Sequence, residues 1–323
     1  MRKTFALGFP LLLASFALAG GSGAIDDTHG PRLLEEQTIP QASKDVSHAN
    51  IRVDVDMTLV PVTVTDQLGR NVRGLGKQNF QIYDDSQQRP IVAFSRQDAP
   101  VSVTLVFDCS RSMTDKFKIA RDAASRLFQE LNPGQDEAAL VTVSDRAALR
   151  HKFTRDFGEI GDALTFTRPD GSTSLLDGVY LALAAAKKAH NPRKALVIVS
   201  DGGDNNSRYN LREILRRAVE SDVLVYTIGI FKDPQSIEEV DGPALLTTLS
   251  DKTGGIGFVV PDPSEVGRAM AAIGVTLHNQ YVLGYYPPDN APSGKYRKIK
   301  VKLLVPAGLP PLQIYARAGY YVP

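Results

Sequence analysis

The stretch Val101-Ser-Val-Thr-Leu-Val-Phe-Asp108-Cys-Ser110-Arg-Ser112-Met113 decides how the rest of the chain is read. An apolar run rich in β-branched residues stops at an acid and two hydroxyls, and an amphipathic helical pattern starts at Asp115. Such a run predicts a buried strand. The oxygens at its carboxyl end suit a hard cation, because Mg²⁺ takes few protein ligands and keeps waters or ligand oxygens around it.

Moving downstream, Phe117, Ala120, Ala124, Leu127, Phe128 and Leu131 share one helical face, and Asn132-Pro-Gly134 ends that helix. Ala138 to Val143 reads as a buried strand and Ala147 to Phe153 as a short edge strand. The loop Asp170-Gly-Ser-Thr173-Ser174 precedes a helix through Leu175, Val179, Leu183 and Ala186. Lys194-Ala-Leu-Val-Ile-Val-Ser-Asp201 is a second apolar strand ending in an acid. A helix over 210–221, a strand over 223–230, a helix near 243–251 and a strand over 257–260 follow; Val266, Met270, Ile273 and Leu277 mark a last helix. Near-continuous apolar strands alternating with helices predict an α/β fold, a doubly wound and mostly parallel sheet covered on both faces.

The flanks have a different rhythm. Val53, Val55, Met57 and Leu59 alternate with Arg52, Asp54, Asp56 and Thr58, which predicts a half-buried strand that Val62 and Val64 continue past Pro61. Phe80, Ile82 and Tyr83, then Ile91, Val92 and Phe94, give further strands. At the other end Tyr281 to Tyr286, Ile299, Val301 and Leu303, Gln313 to Arg317, and Gly319 to Val322 return to β. These strands predict a small antiparallel β-sandwich built from both flanks. Lys298, Lys300 and Lys302 form the polar face of one of them and read as a solvated or edge strand.

At 323 residues the chain is long enough for one large or two medium domains. Met1-Arg-Lys-Thr, an apolar run to Phe16, and Ala17-Leu-Ala19 form an export signal over residues 1–24, cut near Ala19 or Ala24. Residues 25–49 read as a flexible N-terminus. The expected destination is the periplasm or the exterior, with no stable membrane span after cleavage. The formal net charge of +1 becomes minus one once Arg2 and Lys3 are lost (1 − 2), so nothing calls for a nucleic-acid partner. Cys109 is the sole cysteine and provides no internal disulfide.

In open parallel sheets, ligands bind outside the carboxyl ends of the strands. Asp108, Ser110, Ser112, Thr173 and Asp201 all fall at such positions, and two carboxylates crowded there repel unless a cation lies between them. Asp108-x-Ser110-x-Ser112, Thr173 within Gly-Ser-Thr-Ser, and Asp201-Gly resemble the metal-ion-dependent adhesion site of the von Willebrand factor type A domain, over residues of about 101 to 280. The resemblance implies a six-stranded, mostly parallel sheet. It also implies Mg²⁺ (or Mn²⁺ or Ca²⁺) held by Asp108, Ser110 and Ser112, with Thr173 and Asp201 binding directly or through water. A carboxylate from a protein partner completes the octahedron, giving a chelator-sensitive, adhesion-type binding module.

Arg111 stands where that family often has glycine; it either points to solvent or steers an acidic partner. Asp204, with Asn205, forms a polar partner-binding rim or a turn. Val62-Thr-Val-Thr-Asp66, Phe80-Gln-Ile-Tyr-Asp84, Gln280-Tyr-Val-Leu-Gly-Tyr-Tyr-Pro287, Gly294-Lys-Tyr-Arg-Lys-Ile-Lys-Val301 and Ala316-Arg-Ala-Gly-Tyr320 resemble an exported bacterial von Willebrand factor A related group, well represented in Acidobacteria. The implied order is a β flank over 50–98, the A domain over 99–280, and a second β flank over 281–323 packing with the first.

Enzyme readings have less support. Cys109 has no histidine near it in sequence and a carboxylate beside it, which raises a thiol pKa. His151 and His190 lack zinc-site spacing, and no G-x-S-x-G elbow occurs. The expectation is a binding protein rather than an enzyme. The alternatives are a metal-dependent hydrolase using the same cluster, or a scaffold whose metal site is vestigial.

Overall fold

In the computed structural model the described residues are 57–231, 241–288 and 292–323. The expected leader, the polar N-terminus, Val53 and Val55 lie outside them. The first elements are β1 (Thr58–Thr65), β2 (Phe80–Asp84), β3 (Gln87–Arg89) and β4 (Ala93–Gln97). Then come β5 (Val101–Asp108), α1 (Thr114–Gln129), β6 (Glu137–Val143), β7 (Ala148–Thr154), α2 (Phe157–Thr165), α3 (Leu175–Ala186), β8 (Arg193–Ser200), α4 (Leu211–Glu220) and β9 (Leu224–Ile230). The chain closes with α5 (Gly242–Thr253), β10 (Gly257–Val260), α6 (Val266–Leu277), β11 (Gln280–Tyr285), β12 (Tyr296–Leu303), β13 (Gln313–Ala316) and β14 (Gly319–Tyr321).

Six strands form one sheet in the order β10-β9-β8-β5-β6-β7, parallel throughout except for β7. Every residue of β5 is buried, the signature of a strand covered on both faces. Val103, Leu105 and Phe107 face α1, α2 and α6 on one side, while Val106 faces α3, α4 and α5 on the other. From β5 the chain runs outward to β6 and β7, returns to β8 beside β5, and then runs the opposite way to β9 and β10. The strand order therefore reverses between β5 and β8, and that reversal opens a crevice at their carboxyl ends.

The remaining strands make two antiparallel sheets, β13-β1-β11-β4 and β14-β12-β2-β3, each mixing strands from before and after the six-stranded sheet. Their common core includes Val60, Val62, Val64, Phe80, Ile82, Leu283 and Tyr285. Buried Asp84 accepts hydrogen bonds from Tyr285 Oη at 3.1 Å, Tyr320 Oη at 3.0 Å and Arg297 Nε at 2.7 Å, so a carboxylate of one flank is neutralised by donors of the other. Lys298, Lys300 and Lys302 are exposed, opposite the buried Ile299 and Val301.

One pattern is corrected. The alternation through Met57 and Leu59 predicts those residues inside, yet they are 39% and 45% exposed, and the core face carries Val60, Val62 and Val64. With a period of two, the three valines fix the parity and turn Leu59 outward. Leu59 and Met57 instead lie over Gly284, where a side chain would collide with them at 3.3 and 2.7 Å. The helix α2 is also absent from the apolar pattern. It is begun by Asp156, whose side chain accepts the Gly158 N–H, and it buries Ile160 and Leu164.

Candidate metal centre

The crevice between β5 and β8 receives the acids that end those strands. Asp108 is the last residue of β5 and Asp201 follows β8; both are completely buried. Asp108 Oδ1 accepts the Ser110 N–H at 2.9 Å, and its Oδ2 accepts the Ser200 hydroxyl at 2.5 Å. Burial and then the negative charge of Asp201 push the Asp108 carboxyl up to about 6, against the lowering effect of the two serines. The Ser110 and Ser112 hydroxyls lie 3.1 Å apart in the turn that leads to α1.

The Thr173 loop is drawn to the same place by backbone bonds. Asp170 N–H donates to the Cys109 carbonyl at 2.9 Å, and Arg111 N–H donates to the Gly171 carbonyl at 3.0 Å, which ties this loop to the turn after β5. On its other side, Thr173 N–H donates to Asn205 Oδ1 at 2.9 Å, and the Thr173 carbonyl accepts from the amides of Asn205 and Asn206. Asp145, beyond β6, accepts the Ser172 N–H at 2.7 Å. Gly171 has φ of +79°, and a Cβ there would meet the Asp145 carboxylate at 2.6 Å. Ser112 and Thr173 line a groove of about 710 Å³ whose rim includes Arg111, Asp145, Asp204 and Asn205.

Asp201 is the informative acid. Its Oδ2 accepts from Lys116 Nζ at 3.2 Å, in an ion pair whose side chains are 5% and 0% exposed. Its Oδ1 is buried and meets no hydrogen-bond donor among the described residues. A buried carboxylate oxygen without a donor is costly, and a bound cation removes that cost. With Asp108 beside it and two hydroxyls in the adjoining turn, the donor set is the hard-oxygen kind that suits Mg²⁺. Among the described residues no group of three or more His, Cys, Asp or Glu side chains is placed to hold a metal, and this set has only two carboxylates, its other donors being hydroxyls.

The remaining candidates settle into plainer places. Arg111 is 79% exposed and pairs with Asp170 at 3.2 Å, itself 82% exposed. Asp204 Oδ1 accepts the Leu175 N–H at 3.2 Å and so caps α3; burial raises its carboxyl pKa. Cys109 is buried, its thiol pushed up to about 12 by burial and by Asp108. His151 Nδ1 lies 2.7 Å from the Lys152 carbonyl, and His190 Nδ1 lies 2.8 Å from Glu137 Oε2. Ser200 and Lys116 are not among the residues that the sequence motifs single out. Ser200 was legible as the hydroxyl preceding the second strand-end acid. Lys116 was legible as a cation in the first turn of a helix, where the macrodipole disfavours it.

Residues 102–271 match the von Willebrand factor type A domain, and the chain belongs to that family. A curated relative, an uncharacterized protein of Borreliella burgdorferi, is 24% identical over 145 residues, which is 39% of this chain and 42% of the relative. Among solved structures, a von Willebrand factor type A protein from Catenulispora acidiphila aligns with TM-score 0.48 and 13% identity over 73% of this chain and 75% of that one. The vWF domain of the type V pili tip protein Mfa5 from Porphyromonas gingivalis aligns with TM-score 0.47 and 14% identity, covering 55% and 95%. BatB from Bacteroides thetaiotaomicron aligns with TM-score 0.44 and 18% identity, covering 55% and 98%. Among the described residues, no helix is long and apolar enough to cross a membrane.

Proposed function

We propose that this chain is an exported protein-binding module that captures an acidic group of a partner through a divalent cation. The observation that carries the reading is the buried Asp201 Oδ1 without a donor beside an Asp108 whose ionisation its surroundings resist, at the point where the strand order reverses. Asp108, Ser110, Ser112, Thr173 and Asp201 are the residues that would hold the cation. When bound, the cation supplies a Lewis-acid position that attracts a carboxylate. The protein's part is to hold its oxygens in place and to offer the groove lined by Ser112 and Thr173 as the approach. Arg111 and Asp204 belong to its rim.

Binding is favoured over hydrolysis because the thiol at the site is buried and resists ionisation, and neither His151 nor His190 stands among the site's partners. The further parts of the reading are export by the leader over 1–24, membership of the exported bacterial A-domain group, an A domain spanning 99–280, and flanks over 50–98 and 281–323 acting as its sandwich base.

The test is binding of the protein to immobilised peptides bearing a single Asp or Glu, with Asn and Gln peptides as controls, in Mg²⁺ and in EDTA. Retention on acidic peptides in Mg²⁺, lost in EDTA and in Asp108→Ala, is expected. Equal retention in both conditions would overturn the proposal.

A further inference from the structure

Lys298, Lys300 and Lys302 alternate along β12 and are exposed on one face of the sheet β14-β12-β2-β3. Lysines on an edge strand block pairing with another chain. β12 is not an edge, because β14 and β2 flank it, so its lysines have no edge to protect. Outward residues two apart on a strand lie about 6.7 Å from one another, inside the Debye length of about 8 Å at physiological salt, so the three ammonium groups repel. Among the described residues none of them pairs with a carboxylate. Asp85, which follows β2 opposite Lys298, is engaged by Arg297 Nη1 at 3.3 Å and by the Lys298 backbone N–H at 2.9 Å.

The lysine face also has a wall. Lys252, in the last turn of α5, is fixed beside it through its carbonyl, which accepts the Ala318 N–H at 3.2 Å. Tyr83, Lys252, Tyr296, Lys298, Lys300 and Lys302 line a groove of about 510 Å³. Lys252 and Tyr296 border a second groove as well, of about 430 Å³, to which Arg212 and Arg216 contribute. The two grooves therefore share a wall, and cations line both.

We infer that the lysine groove binds an extended acidic polypeptide segment whose Asp or Glu residues alternate along its length. Such a segment presents a carboxylate about every 6.7 Å on one face, the spacing of the lysines, because both chains are strands. Opposite charge then relieves the repulsion along β12 and fixes the register. A single nucleic-acid strand also carries evenly spaced charge, but it gains affinity by stacking its bases on open aromatic faces. Here the Tyr83 ring lies under Lys302 Nζ at 4.7 Å and the Tyr321 ring under the Arg216 guanidinium at 5.2 Å. Binding at this face needs no metal and stands apart from the metal-dependent reading. A peptide with one acid meets one lysine, and a single exposed pair contributes little, so this face does not retain the single-acid probes of the metal centre.

The experiment follows a labelled peptide, Glu-Thr-Glu-Thr-Glu, by fluorescence anisotropy as the full chain is titrated in, with EDTA present throughout. Its isomer Thr-Glu-Glu-Glu-Thr carries the same charge without the alternation. Replacing Lys298, Lys300 and Lys302 together by Gln is expected to weaken binding at least about ten-fold, and the isomer to bind about three-fold more weakly than the alternating peptide. Replacing the exposed Lys118, Lys152 and Lys188 by Gln changes net charge equally and should stay within about two-fold of the parent. Affinity should fall as salt rises from about 20 to about 200 mM.

Equal losses in the two triple variants, or no binding by the parent, overturn the inference. So does tighter binding of an oligouronate or an oligothymidylate of the same charge. If the triple variant does not fold, Lys300→Glu serves, and it should bind about ten-fold more weakly. Asp108→Ala should bind as the parent does; loss there would place the peptide at the metal centre and overturn the assignment to β12.

Discussion

At the start of β5, the Val101 N–H donates to Asp136 Oδ1 at 2.8 Å and the Asn132 N–H to Asp136 Oδ2 at 2.7 Å; His278 Nε2 lies 3.0 Å from Oδ2, near enough to pair though off the line of a hydrogen bond. At the far end of the same strand, Asp108 receives two donors, faces Asp201, and stands beside a carboxylate oxygen that has none. Asp108, Asp136 and Asp201 are all completely buried. Burial pulls Asp136 upward, but the nearby His278 ring and the bonds from Val101 and Asn132 outweigh it and hold the carboxyl below its ordinary value. At Asp108 burial wins. A buried acid whose donors are complete locks one strand end to its neighbours; one left incomplete beside a second acid lowers stability and is poised to take a ligand.

The largest expected effect breaks the satisfied end. Asp136→Ala strands two amides and removes one of the two carboxylates beside His278, and should cost about 3–5 kcal/mol in urea unfolding. Asp108→Asn, by contrast, removes a charge its surroundings resist, and should leave the metal-free chain as stable as the parent or more so. A loss of several kcal/mol there would make Asp108 a structural acid like Asp136.

Next in size is the response to metal. Mg²⁺ at one hundred times its dissociation constant should stabilise the parent by about 2.7 kcal/mol and do nothing for Asp108→Asn, as read by thermal unfolding in matched buffers.

Acidity distinguishes the two ends by sign. Asp108 holds its proton more tightly folded than unfolded, so the stability it contributes to the metal-free chain is lost as pH rises from about 4 through about 6. Asp136 does the reverse: its contribution is present above the unfolded carboxyl value and is lost as pH falls through its lowered folded value. Urea midpoints across pH should therefore flatten between about 4 and 6 in Asp108→Asn, and flatten on the more acid side in Asp136→Asn. The smallest effect belongs to Arg111→Ala, which removes an exposed pair with Asp170 and should change stability by less than about 0.5 kcal/mol.

The six-stranded sheet was legible because its central strands are buried on both faces, and such runs as Val101 to Asp108 and Lys194 to Asp201 read plainly as apolar segments ended by an acid. The sandwich was legible as alternation, but the parity of its first strand was not, since Met57 and Leu59 alternate as regularly as Val60, Val62 and Val64 and only Gly284 across the ladder shows which set faces out. Helix α2 escaped because Gly158 and Gly161 dilute a segment that buries only Ile160 and Leu164.

At the site, the strand-end acids and the hydroxyl turn could be read from sequence. The partners that complete them show in the sequence only as a hydroxyl before an acid and a cation in a first helical turn, because Ser200 reaches Asp108 across 92 positions and Lys116 reaches Asp201 across 85, contacts that only the fold supplies.

Asp108 and the half-satisfied Asp201, where β5 and β8 end, are proposed to hold a divalent cation. Titration of Mn²⁺ into the EDTA-stripped chain and into Asp108→Asn, followed calorimetrically, tests this most directly. One bound ion per chain is expected in the parent and none in the variant; equal uptake by both, or none by the parent, would mean that these two acids hold no cation.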